Sequence, residues 1–154
     1  MSDIKLAIHA AALHKLNVLL LKIGCNSAFT VKMSGEPQNR FINGAFTNRH
    51  YYDQHDISEL QKYALQRGVL IIPQIDLFAG MNSWKHANPL LLANCPSQLH
   101  LQGNIVNPLY RQTPKYVRGL IAELLGMFFP DELLIAPYIH LGGQFPGFEC
   151  WEAD

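Results

Sequence analysis

The apolar stretch VLIIPQI, residues 69–75, gives the strongest indication of how this chain folds. A nearly continuous apolar run of this length predicts a strand that is buried on both faces, as the strands of parallel sheets are. Pro73 is an irregularity near its carboxyl end. Gly68 directly precedes the run and suits the position after a helix, where glycine adopts a left-handed backbone at little cost. The sequence therefore predicts a helix that leads into a buried strand.

Two further stretches have the same helix-to-strand order. Upstream, an apolar helical face within residues 4–12 precedes the buried run NVLLLKI, residues 17–23. Downstream, a strongly amphipathic helix precedes a strand expected near residues 137–142. This repeated order predicts an α/β fold with about three parallel strands covered by helices. Three strands do not close a barrel, because an eight-stranded α/β barrel typically needs about 250 residues.

The starts of two helices also have sequence signals. Asp56 and Glu59 have the spacing of a capping box, which predicts a helix that opens at Asp56. Further along, Thr113 is predicted to cap a helix and Pro114 to occupy its first turn, where the missing N–H of proline costs nothing.

Composition narrows the class of protein. The chain has 154 residues, of which 49% are hydrophobic and 16% charged, and its net charge is zero. These values predict one globular domain and give no sign of nucleic-acid binding or of an anionic membrane surface. No apolar run has the roughly 18 residues of a membrane span, and the N-terminus is interpreted as a helix rather than a signal peptide. The histidines and cysteines lack zinc spacing, and the acids and histidines of residues 50–56 are interpreted as a polar loop, so no metal or cofactor is expected.

The stretch HLGGQFPGFECW, residues 140–151, resembles the end of the active-site strand of the β-N-acetylhexosaminidases of glycoside hydrolase family twenty. That family reads His-x-Gly-Gly-Asp-Glu here, with Cys-Trp a few residues later. Further matches follow in the correct order at residues 15–18, 63–69, 72–76 and 83–84. The resemblance implies that residues 1–154 are a single partial catalytic domain, a fragment of a (β/α)8 TIM barrel that holds its strands two to four.

The same stretch departs from the family at its catalytic pair. Gln144 and Phe145 stand where the resemblance places an Asp, which stabilises the charged intermediate, and a Glu, which protonates the leaving oxygen. Phe145 has no proton to give, and general acid help commonly contributes about 10²–10⁴-fold to the rate. Glu149 and Glu152 are the nearest acids, and either would need a reshaped loop to replace the missing Glu. The chain is therefore predicted to be catalytically inactive.

Other polar positions of the family are also changed. Leu20 and Lys22 take the places of two histidines on the second strand of the family, and Gln74 takes that of a glutamate on the third. The resemblance leaves four candidate substrate-binding residues. Each has a plain alternative: a turn cap for the aspartate, a hydrogen-bonded core position for the histidine, and burial for the two tryptophans. The four candidates are Asp76, Trp84, His140 and Trp151.

The three cysteines, at positions 25, 95 and 150, are an odd number and by composition alone read as buried free thiols. The family resemblance instead implies a disulfide between Cys95 and Cys150, which leaves Cys25 as the free thiol. Such a bond implies an oxidising compartment. The resemblance accordingly implies a lysosomal or secreted location, although no signal for reaching one is visible.

Two functions follow from the resemblance. The first is an inactive fragment or pseudoenzyme derived from an enzyme that hydrolyses terminal N-acetylhexosamine residues. The alternative is a carbohydrate- or partner-binding module that uses the remaining pocket. The expected partners are a glycan that contains N-acetylhexosamine and a second chain that completes the barrel, with no nucleic acid and no membrane.

Overall fold

The computed structural model describes residues 1–95, 104–131, 135–143 and 151. Over these ranges the chain is an α/β structure in which three α-helices accompany a short parallel sheet, as the sequence predicts. The regular elements are α1 (Ser2–Leu13), β1 (Val18–Lys22), α2 (Gln54–Leu65), β2 (Leu70–Gln74) and α3 (Thr113–Phe128), with 3-10 helices at Gln38–Gly44, Asn82–His86 and Pro89–Leu91.

The sheet consists of β1 and β2, which pair in parallel with Val18 opposite Leu70 and Lys22 opposite Gln74. The predicted third strand is reduced, within the described residues, to one parallel bridge between Gln74 and His140. At this bridge His140 N donates to Pro73 O at 2.9 Å. The predicted parallel direction is therefore confirmed, but regular pairing over residues 137–142 is not found.

The capping box of α2 lies one turn earlier than the sequence predicts. Asp56 N donates to Asp53 Oδ1 at 2.9 Å, and Asp53 N donates to Asp56 Oδ2 at 3.1 Å, so Asp53 is the cap and Asp56 closes the box. An aspartate on an extended backbone directly before a helix caps it as well as Ser or Thr does. The other predicted partner, Glu59, lies outside the box and pairs with Lys5 of α1 at 2.5 Å.

The start of α3 also differs from the prediction by one residue. Pro114 lies in the first turn as predicted, but Gln112 precedes the helix, and Thr113 is its first residue rather than its cap. The Thr113 hydroxyl donates instead to Asn107 O at 2.7 Å and is buried there. A hydroxyl bond to the preceding loop thus replaces the expected cap bond to the helix.

The core is centred on an aromatic cluster around Phe41. Its ring lies 5.0 Å from that of Phe29, 4.8 Å from that of Trp84 and 5.8 Å from that of Tyr116. All four side chains are fully or almost fully buried. Phe29 comes from a loop, Phe41 and Trp84 come from two 3-10 helices, and Tyr116 comes from α3, so the cluster packs these segments against the helix α3.

A buried amide, that of Gln61, joins three elements of the fold. Gln61 Nε2 donates to Ile71 O and to Phe128 O, both at 3.1 Å, and Gln61 Oε1 accepts from Ile71 N at 3.0 Å. These bonds link α2 to β2 and to the end of α3. A buried polar side chain with its bonding groups satisfied in this way stabilises one specific packing of the three elements.

One face of β1 is open to solvent. Val18 is 44% exposed and Leu20 48% exposed, whereas Leu19 and Leu21 are half-buried. Apolar side chains on an open sheet face are a site for association or aggregation unless something covers them.

None of the helices in the described ranges is both long and apolar enough to span a bilayer.

Candidate functional site

The candidate site lies at the carboxyl ends of β1 and β2, where open α/β sheets bind their ligands. Lys22 and Gln74, the last residues of the two strands, stand opposite each other in the sheet register. Both side chains contact Asp76. Lys22 Nζ lies 2.5 Å from Asp76 Oδ2, and Gln74 Nε2 donates to Asp76 Oδ1 at 3.2 Å. Each carboxylate oxygen of Asp76 therefore has a partner within the chain.

The environment of Asp76 sets its charge. The residue is 8% exposed. Burial raises the pKa of its carboxyl, but the hydrogen bonds from Lys22 and Gln74 and the positive charge of Lys22 outweigh burial, so the pKa lies below its ordinary value. Asp76 is consequently a carboxylate at neutral pH and holds no proton to transfer.

His140 lies beside this ion pair on an exposed segment. It is bridged to Gln74, and its ring Nδ1 accepts a hydrogen bond from Gly142 N at 3.2 Å. The side chain is exposed, so the interpretation of His140 as a hydrogen-bonded core histidine is wrong. A histidine at the end of a sheet segment keeps access to water even though apolar residues flank it in the sequence.

Gly142 closes the site on one side because it lies directly against Asp76. A Cβ atom at this position would lie 2.9 Å from both Asp76 Cα and Asp76 Oδ1. The backbone of Gly142 also has φ +78°, a conformation that other residues adopt only with strain. The first glycine of the Gly-Gly pair is thus required by packing against the carboxylate.

The two candidate tryptophans differ in exposure: Trp84 is buried, whereas Trp151 is half-buried and lines a cavity of about 250 Å³ that Leu77, next to Asp76, also lines. Trp84 is fully buried in the aromatic cluster, with its ring 4.8 Å from that of Phe41. Trp151 packs against a small cluster that contains Cys95 and Ile105, and its Nε1 donates to Val106 O at 3.0 Å. The structure therefore brings Asp76 and His140 together with Lys22 but does not offer the face of Trp84 to a ligand.

Several predicted positions lie outside the described residues. These are the two that replace the catalytic pair, the two acids considered as substitutes, and one partner of the predicted disulfide: Gln144, Phe145, Glu149, Glu152 and Cys150. Cys25 is a half-buried free thiol. Cys95 is fully buried, and its pairing with Cys150 stays a prediction.

A metal site at the start of α2 has no support beyond proximity. The ligand atoms of Asp53, His55 and Asp56 lie within 4.8 Å of one another. Both carboxylates already accept backbone N–H bonds in the capping box. Helix capping accounts for this arrangement, and we assign no ion to it.

The comparisons with known proteins agree with this architecture. A family model described as the catalytic domain of glycosyl hydrolase family 20 matches residues 1–154. The chain belongs to this family. The resemblance seen in the motifs is thereby confirmed over the whole length of the chain.

Curated relatives of this family 20 chain include two mammalian subunits. The β-hexosaminidase subunit beta of Felis catus is 28% identical over 151 residues, which cover 96% of this chain and 27% of the relative. The β-hexosaminidase subunit alpha of Mus musculus is 29% identical over 100% of this chain and 28% of the relative. The chain thus spans little more than a quarter of the length of the relatives it matches.

Solved structures of family 20 enzymes have the same fold over this range. One is an exo β-N-acetylglucosaminidase from Vibrio harveyi in complex with N-acetylglucosamine, which matches with a TM-score of 0.77 and 23% identity over 98% of this chain and 26% of that chain. A β-N-acetylhexosaminidase matches with a TM-score of 0.75 and 23% identity over 99% of this chain and 34% of that chain. The α/β structure is therefore a part of a family 20 barrel.

Proposed function

We propose that this chain is a catalytically inactive domain of the β-N-acetylhexosaminidase type, a pseudoenzyme or barrel fragment that does not hydrolyse N-acetylhexosaminides by itself. The observation that carries the proposal is the ion pair between Lys22 and Asp76. It occupies the strand ends where the sequence also replaces the expected acidic pair with Gln144 and Phe145.

The first support is that the described residues place no protonated carboxyl at these strand ends. A general acid works best when its pKa lies near the working pH, so that it is protonated before the reaction. Asp76, the carboxylate that the described residues place in this site, has a lowered pKa and is ionised at neutral pH. Gln144 and Phe145 carry no ionisable group. Neither Asp76 nor the two residues at the positions of the catalytic pair can therefore donate a proton to the leaving oxygen.

The second support is that Asp76, the described carboxylate of the site, is not a free anion. The reaction implied by the family passes through a cationic intermediate that a fixed negative charge stabilises. In this chain the charge of Asp76 is neutralised by Lys22 at 2.5 Å. Both carboxylate oxygens are also engaged, one by Lys22 and one by Gln74. The site thus offers little negative potential to a developing positive charge.

The test is turnover of an aryl N-acetylglucosaminide by the purified chain. We expect no release of the aryl alcohol above a buffer blank. The β-hexosaminidase subunit beta of Felis catus, assayed in the same plate, is the positive control for substrate and detection. Turnover by the chain that Glu149→Gln abolishes would contradict the proposal, because it would identify a neighbouring acid as the replacement.

The alternative function, a glycan-binding module, would use the same residues without chemistry. Asp76 would have to give up Lys22 or Gln74 to accept a sugar hydroxyl, and the face of Trp84 is buried. These contacts weigh against it. A titration of N-acetylglucosamine followed by NMR separates the two, since saturable shifts at Asp76 and His140 would favour the binding module.

A partner chain is a further part of the proposal. Val18 and Leu20 are exposed on one face of β1, and this chain spans only 27% of the relative from Felis catus. We therefore propose that additional α/β units, on this or a second chain, cover this face. Light scattering of the chain alone and of a Leu20→Lys variant tests it: association that disappears in the variant is expected, and a monodisperse monomer in both would contradict it.

A further inference from the structure

A concave, positively charged surface lies on the opposite side of α3 from the core. It is a cavity of about 570 Å³ between the loop at residues 36–38 and the exposed side of α3. Arg111 lies just before the helix, and Lys115 and Arg118 lie on it four and seven residues later, so the three cations line the same cavity. Lys115 and Arg118, three residues apart on α3, share one face of the helix, and Arg111 lines the same cavity from the turn before it.

The charge of this surface is not balanced within the described chain. Lys5, Lys22 and Arg40 each pair with an acid, whereas Arg111, Lys115 and Arg118 form no ion pair with a described residue. Like charges at neighbouring helical positions destabilise a helix. A bound anion would remove that repulsion.

Glu36, the acid among the described residues that line the cavity, is engaged elsewhere. Glu36 Oε1 accepts a hydrogen bond from Asn39 at 2.6 Å, and Glu36 Oε2 lies 3.9 Å from Arg40 Nε. The described contacts of the Glu36 carboxylate are therefore with residues of its own segment and not with the cations of α3. The cavity keeps an excess of positive charge.

The two walls of the cavity are fixed to each other by a buried amide. Gln38 is 4% exposed, and its Nε2 donates to Lys115 O at 3.0 Å and to Tyr116 O at 3.2 Å. Gly119 makes room for it, because a Cβ atom there would lie 2.0 Å from Gln38 Nε2. Gln38 is thus bonded to the first turn of α3, at the backbone of Lys115 and Tyr116, and these bonds hold the two walls of the cavity together without a ligand.

We propose that this cavity binds a tetrahedral oxyanion, the phosphate or sulfate group of a small molecule. Two guanidinium groups present planar pairs of N–H donors that match the oxygens of such a group, and Lys115 adds a third charge. The site is separate from Asp76 and Lys22, so the proposal does not depend on the enzymatic state of the chain.

The test is a titration of the ¹⁵N-labelled chain, at ionic strength held constant with NaCl, with inorganic phosphate, inorganic sulfate or phenyl phosphate. We expect saturable shifts of the Lys115, Arg118 and Gly119 amides, with half-saturation in the low millimolar range or below. Tighter binding of phenyl phosphate than of inorganic phosphate would identify an ester as the ligand, and equal binding would identify the free ion.

Two double variants with the same change in net charge make the test specific. Arg111→Gln with Arg118→Gln should weaken binding by about tenfold or more, because each removes a charge-assisted contact. Lys62→Gln with Lys85→Gln, which alters exposed cations outside the cavity, should leave binding unchanged. An absence of saturation in the unmodified chain, or an equal loss in both double variants, would overturn the proposal.

Discussion

Lys22 and Asp76 form an ion pair across the carboxyl ends of the two strands, with Lys22 Nζ 2.5 Å from Asp76 Oδ2. The lysine side chain is half-exposed, whereas that of the aspartate is largely buried. Loss of the pair would therefore cost the buried carboxylate of Asp76 more stabilisation than the Lys22 ammonium group, which water can solvate. The negative charge of the largely buried Asp76 requires a nearby positive charge, and Lys22 of β1 supplies it.

The first prediction concerns the loss of this cation. Lys22→Met leaves the largely buried Asp76 carboxylate without its charged partner. We expect the free energy of unfolding at neutral pH to fall by about 1–2 kcal/mol, less than for a fully buried pair because Lys22 is half-exposed. Urea denaturation measures it, and Lys115→Met, at an exposed lysine that forms no ion pair with a described residue, is the control that should change stability little.

The second prediction concerns acid. Because the folded pKa of Asp76 is lowered, its contribution to stability is present above the unfolded pKa of about 3.9 and is lost as pH falls through the folded pKa. In that window the unfolded chain has bound a proton and the folded chain has not. Asp76→Asn should therefore lose less stability than the unmodified chain between about pH 4 and about pH 2. Parallel stability curves for the two proteins would contradict this assignment.

Much of the fold follows from periodicity because the helices and strands have strong patterns of their own. Residues 69–75 and 17–23 predict β2 and β1, and their parallel pairing is found. The length of the third strand is not predictable in this way, because a short apolar run does not show how many of its residues pair with the neighbouring strand. The first residue of a helix is also hard to predict, because several neighbouring residues can cap the helix. The backbone conformation selects Asp53 rather than Asp56 as the cap of α2.

The third prediction compares two glycines of α3. Gly119→Ala would place a Cβ atom 2.0 Å from Gln38 Nε2, so the amide must leave its buried position. We expect a loss of about 1–3 kcal/mol. Gly126→Ala meets nothing within 4 Å and should stabilise the helix by about 0.5–1 kcal/mol. Thermal unfolding of the two variants should give midpoint shifts of opposite sign, and a shift of the same sign in both would refute the packing argument.

The fourth prediction concerns the buried amide of Gln61. Gln61→Leu keeps the size of the side chain but leaves Ile71 N, Ile71 O and Phe128 O without this partner. At about 1–3 kcal/mol for an unsatisfied buried group, we expect a loss of at least about 2 kcal/mol. The same change at the exposed Gln66 should alter stability by no more than about 0.5 kcal/mol. Chemical denaturation compares the two.

The site was harder to predict than the fold, because its properties depend on contacts across strands. The sequence identifies Asp76 and His140 but not their relation to Lys22, which is 54 positions away from Asp76. Gln61 carried no visible signal, since a glutamine in an amphipathic helix reads as a surface residue. Gly142 is visible in the sequence because it belongs to a Gly-Gly pair. The contact with Asp76 that requires a glycine there is visible only in the structure.

The fifth prediction has two parts, and the first is a disulfide between Cys95 and Cys150. Cys150 is joined by a peptide bond to Trp151, whose ring packs on the cluster that contains Cys95. The pairing of Cys95 with Cys150 would close a loop of about 55 residues and contribute about 4 kcal/mol in the chain-entropy model. Peptide mapping without reduction, on protein from an oxidising compartment, should recover the linked peptides, and Cys25→Ala should not affect them. Free, alkylatable thiols at both positions would exclude the bond.

The second half concerns restoration of activity, with Gln144→Asp and Phe145→Glu made together in the oxidised protein. This double variant returns the two acids that the family resemblance requires, yet we expect no turnover of an aryl N-acetylglucosaminide above the blank. By the family resemblance Lys22 stands in place of a histidine and Gln74 in place of a glutamate, and a preorganised site loses its effect when several members are missing. A triple variant that adds Lys22→His tests the role of the cation, since it removes the charge that neutralises Asp76. Turnover in the double variant would show that Lys22 and Gln74 are compatible with catalysis, and turnover in the triple variant alone would identify Lys22 as the remaining obstacle.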